Sequence, residues 1–173
     1  MTISQSGAGI EADSKHSWRH ENVGRLLLAG FGYFEAALMR RVHASGFPLI
    51  RYVYFNVLRH LDYNGTRIVE LSARAGITKG AMGQIVKECQ ILGLVKLIDD
   101  PDDGRAKVVL FAKNGLRLMD VIREAMATVQ GEMTRLIGKS DMLVMTRALR
   151  MVRSHLAEAD DETLSSARIR ITK

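Results

Sequence analysis

The chain has 173 residues, 47% of them hydrophobic, which suits one domain with a substantial core and excludes wholesale disorder. Its 25 Lys and Arg against 19 Asp and Glu leave a net charge of +6, a balance compatible with a polyanionic partner. Cys89 is the only cysteine, excluding an intrachain disulfide and a Cys-rich metal site. The N-terminus carries no basic-then-apolar signal segment, so a cytoplasmic location away from membranes is expected.

Residues 1–16, rich in Ser, Gly and Ala without periodicity, read as a mobile tail. A helical pattern starts near Ser17, with Leu27, Phe31, Phe34, Leu38 and Val42 drawing one apolar face. Its apolar run from Leu26 to Phe34 is broken by glycines and too short to span a membrane. Ser45-Gly46-Phe47-Pro48 ends this helix. A second helix is expected from about Leu49 to Leu61, with a turn at Asn64-Gly65.

A helix-turn-helix follows. Ile68, Leu71 and Ala75 give a short helix its buried side, Ala73 is small enough for close helix contact, and Gly76 marks a sharp turn. Thr78 is placed to N-cap the next helix, which buries Met82, Ile85, Val86 and Cys89 and turns Lys79, Gly80, Gly83, Gln84 and Lys87 outward. Gly93 closes it. Val95 and Leu97 alternate with Lys96 as one strand, and Lys107 to Phe111 return as its partner around the acidic tip Asp99-Asp100-Pro101-Asp102-Asp103-Gly104-Arg105. So short a hairpin needs the helices behind it and reads as a wing.

Helical periodicity resumes from Lys113 to Ile137, with Leu116, Met119, Ile122, Met126, Val129, Met133 and Ile137 as the apolar stripe. Gly138 breaks it, Ser140 is placed to cap a last helix, and Met142, Met145, Leu149, Val152 and Leu156 form the final stripe. Charge is nearly balanced across 66–112, so the basic excess lies in the flanking helices.

The order of these elements resembles the MarR family of bacterial transcription regulators. Leu71-Ser72-Ala73-Arg74-Ala75-Gly76-Ile77-Thr78 and Leu92-Gly93-Leu94-Val95 carry the resemblance. The wing carries it most strongly, where Asp100-Pro101-Asp102-Asp103-Gly104-Arg105-Ala106-Lys107-Val108-Val109 runs into Lys113-Asn114-Gly115. The resemblance implies a mainly α fold with a small β-hairpin wing. The winged helix-turn-helix, about 49–112, would be flanked by dimerisation helices at about 17–45 and 113–157, with 158–173 as a C-terminal tail. It also implies a homodimer offering two reading helices to double-stranded DNA, with half-sites about one helical turn, ~34 Å, apart.

By similarity Arg105 is the wing arginine for the narrow minor groove and Asp103 its orienting partner. Lys79, Gly80, Gln84 and Lys87 face base edges and phosphates, while Thr78 and Lys107 are candidates for the DNA backbone. The chain departs from the family at Gly80, Ala81, Gly83 and Gln84, where Ser, Thr and Arg are frequent. Further departures are Leu97 and Ile98 before the wing tip, Gly104 in place of a second arginine, and Ala112 in place of a capping Thr. These remove donors from the surface that specifies sequence.

Cys89 falls on the apolar face, where a small hydrophobe is expected rather than a redox sensor. The Asp99–Asp103 run lacks the alternating ligands and closing Glu of a calcium loop. No phosphate loop, His-Glu-x-x-His run or nucleophile–base pair emerges, so no enzyme, cofactor or metal is expected. Tyr33, His43, Arg51 and Tyr52 are candidates for a pocket between the long helices and the DNA-binding lobe, where the family tends to bind a small aromatic or anionic effector. The expected function is that of a DNA-binding transcription regulator, a homodimeric repressor released by an effector. The alternative is a MarR-like protein-interaction module with weak or no sequence-specific DNA binding.

Overall fold

The chain's computed structural model describes residues 18–100, 103–104 and 106–171, with side chains described up to residue 155. The expected N-terminal tail and the wing-tip residues Pro101, Asp102 and Arg105 lie outside the described residues. A single turn, α1 (Trp18–Glu21), leads to Asn22, whose side chain accepts a hydrogen bond from the Arg25 amide at 3.0 Å and so caps α2 (Val23–Ala44). Only the C-terminal half of the expected α2 stripe is covered. Leu38 and Val42 are buried with Ala37, whereas Leu27 and Phe31 remain about half exposed.

The second helix is much shorter than its apolar pattern suggests. After Pro48 the chain makes a 3-10 turn, Tyr52–Tyr54, and one α-helical turn, α3 (Phe55–Leu58). Tyr, Val and Phe dominate this stretch, and such residues lose side-chain freedom in a helix. Packing holds the segment instead, with Ile50, Tyr54, Phe55, Val57, Leu58 and Leu61 all in the core.

The helix-turn-helix is α4 (Ile68–Ala75) and α5 (Lys79–Ile91). Gly76 sits at φ 65°, the left-handed region an L side chain adopts only at a cost. Its amide and that of Ile77 bond back to the Ala73 and Ser72 carbonyls, ending α4 cleanly. The buried small residue of α4 is Ser72 rather than Ala73, which is exposed. Ser72 is admissible there because its hydroxyl donates to the Val69 carbonyl at 2.7 Å. At the far end of α5, the Gly93 and Leu94 amides bond to the Gln90 and Cys89 carbonyls, and Leu94 packs with Cys89 in the core.

The sheet gains a strand that the hydrophobic pattern does not reveal. β1 (Thr66–Arg67) pairs antiparallel with β3 (Lys107–Phe111), which also pairs with β2 (Val95–Asp99), giving the order β1-β3-β2. Gly65 makes that approach possible, since a Cβ there would stand 2.6 Å from Val108 Cγ1. The winged part is therefore a three-stranded sheet against helices, which answers the marginal stability of an isolated hairpin.

Helices α6 (Lys113–Ile137) and α7 (Lys139–Ile171) complete the chain. The buried face of α6 is Leu118, Ile122, Ala125 and Val129, rotated from the expected stripe, so Leu116 and Met126 are exposed. Ser140 is not the cap of α7, which begins one residue earlier with the Gly138 carbonyl accepting from the Met142 amide. Its backbone stays helical to Ile171, through the segment read as a C-terminal tail. Contacts divide the chain into two compact units, residues 1–126 and 127–173. The contiguous core, from Leu38 to Ala125, belongs to the first. Among the described residues no helix is long and apolar enough to cross a membrane.

Candidate nucleic-acid interface

The candidate surface begins at Thr78, whose Oγ1 accepts from the Ala81 amide at 3.2 Å and fixes the first turn of α5. Met82, Ile85, Val86 and Cys89 are buried, so α5 is held by one face while Lys79, Gly80, Gln84 and Lys87 stand exposed on the other. A Cβ at Gly80 or Gly83 would meet nothing within 4 Å. Packing within the chain therefore does not require either glycine. Gln84 is partly engaged: its amide donates to Glu88 at 3.3 Å, and Glu88 pairs in turn with Arg51. The Gln84 hydrogen bond, followed by the charge of Arg51, holds the Glu88 carboxyl below the usual range. Cys89 is fully buried, and desolvation pushes its thiol up to about 12, which fits packing and not thiolate chemistry.

The wing is built on Asp100. This carboxylate is almost completely buried, yet it accepts from Arg67 Nε at 2.5 Å and from the Asp103 amide at 3.3 Å. Its own amide donates to the Ala106 carbonyl, and the Ala106 amide donates to the Asp103 carbonyl at 2.8 Å, closing the turn. The hydrogen bond from Arg67 to Asp100 is also what raises the guanidinium pKa. Arg67 lies on β1, so one ion pair ties the strand entering the helix-turn-helix to the wing turn 33 residues later. Sequence reasoning missed both residues in this role. The acidic run Asp99–Asp103 reads in sequence as a solvated turn, which the burial of Asp100 corrects, and nothing in the pattern named its partner.

Between α4, the start of α5 and the wing lies a groove of about 550 Å³, lined by Arg67, Glu70, Lys79, Asp103 and Lys107 among others. The structure thus brings together Lys79, Asp103 and Lys107, which the sequence singled out separately. Lys107 stands opposite Asp99 in the β-ladder and is paired with it, both side chains being largely exposed. Such pairs are worth little and yield to a competing anion. Arg105 lies outside the described residues.

None of the four candidate effector residues lines this groove. Tyr33 is about half exposed on α2. His43 Nε2 lies 2.8 Å from the Ile50 carbonyl. Arg51 donates to the Tyr54 hydroxyl at 2.9 Å, lies over the Tyr54 ring and pairs with Glu88. Tyr52 stacks on Phe55, meets Phe31 edge-on and accepts from Arg59 at 3.1 Å. Each side chain is therefore committed locally or set on the surface. Among the described residues no group of His, Cys, Asp or Glu is placed to hold a metal.

Comparison with known proteins agrees with this geometry. Residues 45–106 match the family model described as MarR family. The sequence has no match among curated proteins. Among solved structures, the transcriptional repressor CouR, bound to a 23-mer DNA duplex, superposes with a TM-score of 0.65 at 18% identity, covering 87% of this chain and 99% of that one. Sco3205 of Streptomyces coelicolor, a MarR family transcriptional regulator in complex with DNA, gives 0.58 at 18%, covering 78% and 88%. BpsR of Bordetella bronchiseptica, whose DNA binding is regulated by 6-hydroxynicotinic acid, gives 0.61 at 18%, covering 78% and 94%. The fold is the winged helix-turn-helix of these regulators.

Proposed function

We propose that this chain, a MarR-family protein by its 45–106 segment, is a homodimeric transcription repressor that binds double-stranded DNA and is released by a small-molecule effector. The carrying observation is the groove between α5 and the wing, whose lining brings Lys79 and Lys107 together with Arg67, Glu70 and Asp103. In this reading α5 enters the major groove with Lys79, Gln84 and Lys87 outward, and the Thr78 end approaches a phosphate. The wing turn, held by Asp100, presents Arg105 to the adjacent minor groove, with Asp103 as its orienting partner.

Two uncovered apolar faces support a second copy as partner. Val23, Leu26, Leu27, Leu28 and Phe31 on α2 are 48–72% exposed, as are Leu143, Val144, Met151 and Val152 on α7 at 52–71%. Covering such side chains contributes about 1.5–3 kcal/mol each when burial is complete. Effector release is supported by the regulated relative, and it requires a ligand that favours a dimer whose reading helices no longer match the groove spacing. The relatives are regulators and not enzymes, and the reading includes no catalysis and a cytoplasmic location.

Duplex binding followed by fluorescence anisotropy over a range of salt tests the reading. Affinity should fall steeply as salt rises, and Lys79→Ala should reduce the slope by about one counterion. Salt-independent binding, or none to any duplex, would favour a protein-interaction module. The donor-poor face of Gly80, Ala81 and Gly83 gives that second reading its support.

A further inference from the structure

Among the described residues of α5 that stand exposed, Gln84 alone has a side chain with both a donor and an acceptor. Lys79 and Lys87 only donate, and Gly80, Ala81 and Ile91 have no polar side-chain atom. A base edge in the major groove is told apart by its pattern of donors and acceptors. What α5 can read therefore depends on how the Gln84 amide is turned.

The structure fixes that turn. Gln84 Nε2 donates to Glu88 Oε1 at 3.3 Å, one helical turn on and on the same face, while the Arg51 guanidinium takes Glu88 Oε2. An ionised carboxylate accepts and cannot donate, so the group of Gln84 that faces it is the amino group, and the amide oxygen is turned away. The Gln84 hydrogen bond, the charge of Arg51 and a hydrogen bond from Tyr54 keep Glu88 ionised, below the usual carboxylate range. Arg51 is anchored in turn. Its Nε donates to the Tyr54 hydroxyl at 2.9 Å, its guanidinium lies 5.0 Å over the Tyr54 ring, and Tyr54 is buried in the core. Contacts thus run unbroken from the core through Tyr54, Arg51 and Glu88 to the outward amide. Exposed pairs of this kind contribute little to stability, so their consequence falls on orientation.

We infer that Glu88 and Arg51 are positioning residues that hold the Gln84 amide in the one orientation that reads adenine. The inference rests on the DNA-binding reading above. With one N–H spent on Glu88, Gln84 keeps one N–H for adenine N7 and its oxygen for the adenine N6 amino group. Guanine presents acceptors at both N7 and O6, so the fixed amide oxygen meets an acceptor there. An amide released from Glu88 turns both N–H groups to guanine as readily as it reads adenine, and the discrimination is lost.

The test starts from a duplex selected by the full-length protein and replaces each base pair in turn, with affinities read by fluorescence anisotropy. The unsubstituted protein should prefer adenine at one position of each half-site by about tenfold or more, the scale of a bidentate contact. Gln84→Ala should abolish that preference. Glu88→Ala and Arg51→Ala should each lose most of it and keep the preferences at other positions, an outcome that a general loss of structure would not give. Glu88→Gln keeps a carbonyl acceptor for Gln84 and should retain more of it than Glu88→Ala. In a Gln84→Ala background, Glu88→Ala should change nothing at that position. A base other than adenine at the Gln84-dependent position would overturn the inference and leave DNA reading intact. So would an undiminished preference in Glu88→Ala or Arg51→Ala, or a Glu88→Ala effect that persists without Gln84. Selection of no sequence by the unsubstituted protein would defeat both.

Discussion

Replacing Arg67 with Ala would isolate the ion pair on which the wing is built. Its partner Asp100 has a side chain only 4% exposed, so the substitution leaves a buried carboxylate facing the Asp103 amide without its cation. Breaking a buried pair from one side costs about 3–5 kcal/mol. Arg67 is itself 42% exposed, so water already shares in solvating the pair and about 2–3 kcal/mol is the expected loss. For a chain of this length that corresponds to a melting temperature lower by roughly 4–12 °C. Thermal unfolding at neutral pH followed by circular dichroism reads it directly. The double variant Arg67→Leu, Asp100→Leu should recover most of the loss, because the buried carboxylate is removed together with its cation. A loss below about 0.5 kcal/mol for Arg67→Ala, or a double variant as unstable as the single, would refute this role for the pair.

Four further outcomes follow from the same geometry. Gly83→Ala should stabilise the protein by up to about 1 kcal/mol in denaturant unfolding, since nothing crowds a Cβ there; a destabilised variant would contradict the open position. Gly115→Ala should destabilise it, by about 1–3 kcal/mol, because a Cβ would stand 2.0 Å from the Leu94 carbonyl oxygen; an unchanged midpoint would show the joint to be loose. Burial, with Arg59 and Arg74 adding to it, lowers the His60 pKa below its ordinary 6.5, so its contribution is complete above that value and is lost as pH falls towards the lowered folded-state value. His60→Asn should accordingly flatten the decline in stability below pH 6.5, and an identical decline would exclude His60 as its source. Cys89, buried and held to about 12, should react with iodoacetamide only after unfolding, and rapid alkylation of the native protein would place the thiol elsewhere.

Legibility of the fold followed the strength of local signals. Thr78, Gly76 and Gly93 mark helix ends by backbone chemistry that acts within a few residues, and the structure uses all three. The Leu49–Leu61 helix failed because apolar spacing alone does not distinguish a long helix from two short turns held by packing. The α6 stripe was rotated because Leu118 and Ala125 look no more buried in sequence than Leu116 and Met126; the element packed against them decides. β1 was invisible for a similar reason, as two residues have no periodicity.

At the candidate interface, residue types on α5 and the wing were readable one by one. Their convergence on one groove was not, nor was the Arg67–Asp100 pair, because both depend on contacts between segments far apart in the chain. The outward glycines remain the most informative departure. Neither Gly80 nor Gly83 is needed for packing against the described residues.

Selection of bound duplexes from a random-sequence pool, with the full-length protein at physiological salt, tests the central claim most directly. Sequence-specific reading by a two-fold pair of α5 helices predicts an enriched palindrome with half-site centres about one helical turn, ~34 Å, apart, and loss of that enrichment in Arg105→Ala. Recovery of duplexes with no enriched sequence, or enrichment that Arg105→Ala leaves intact, would contradict it.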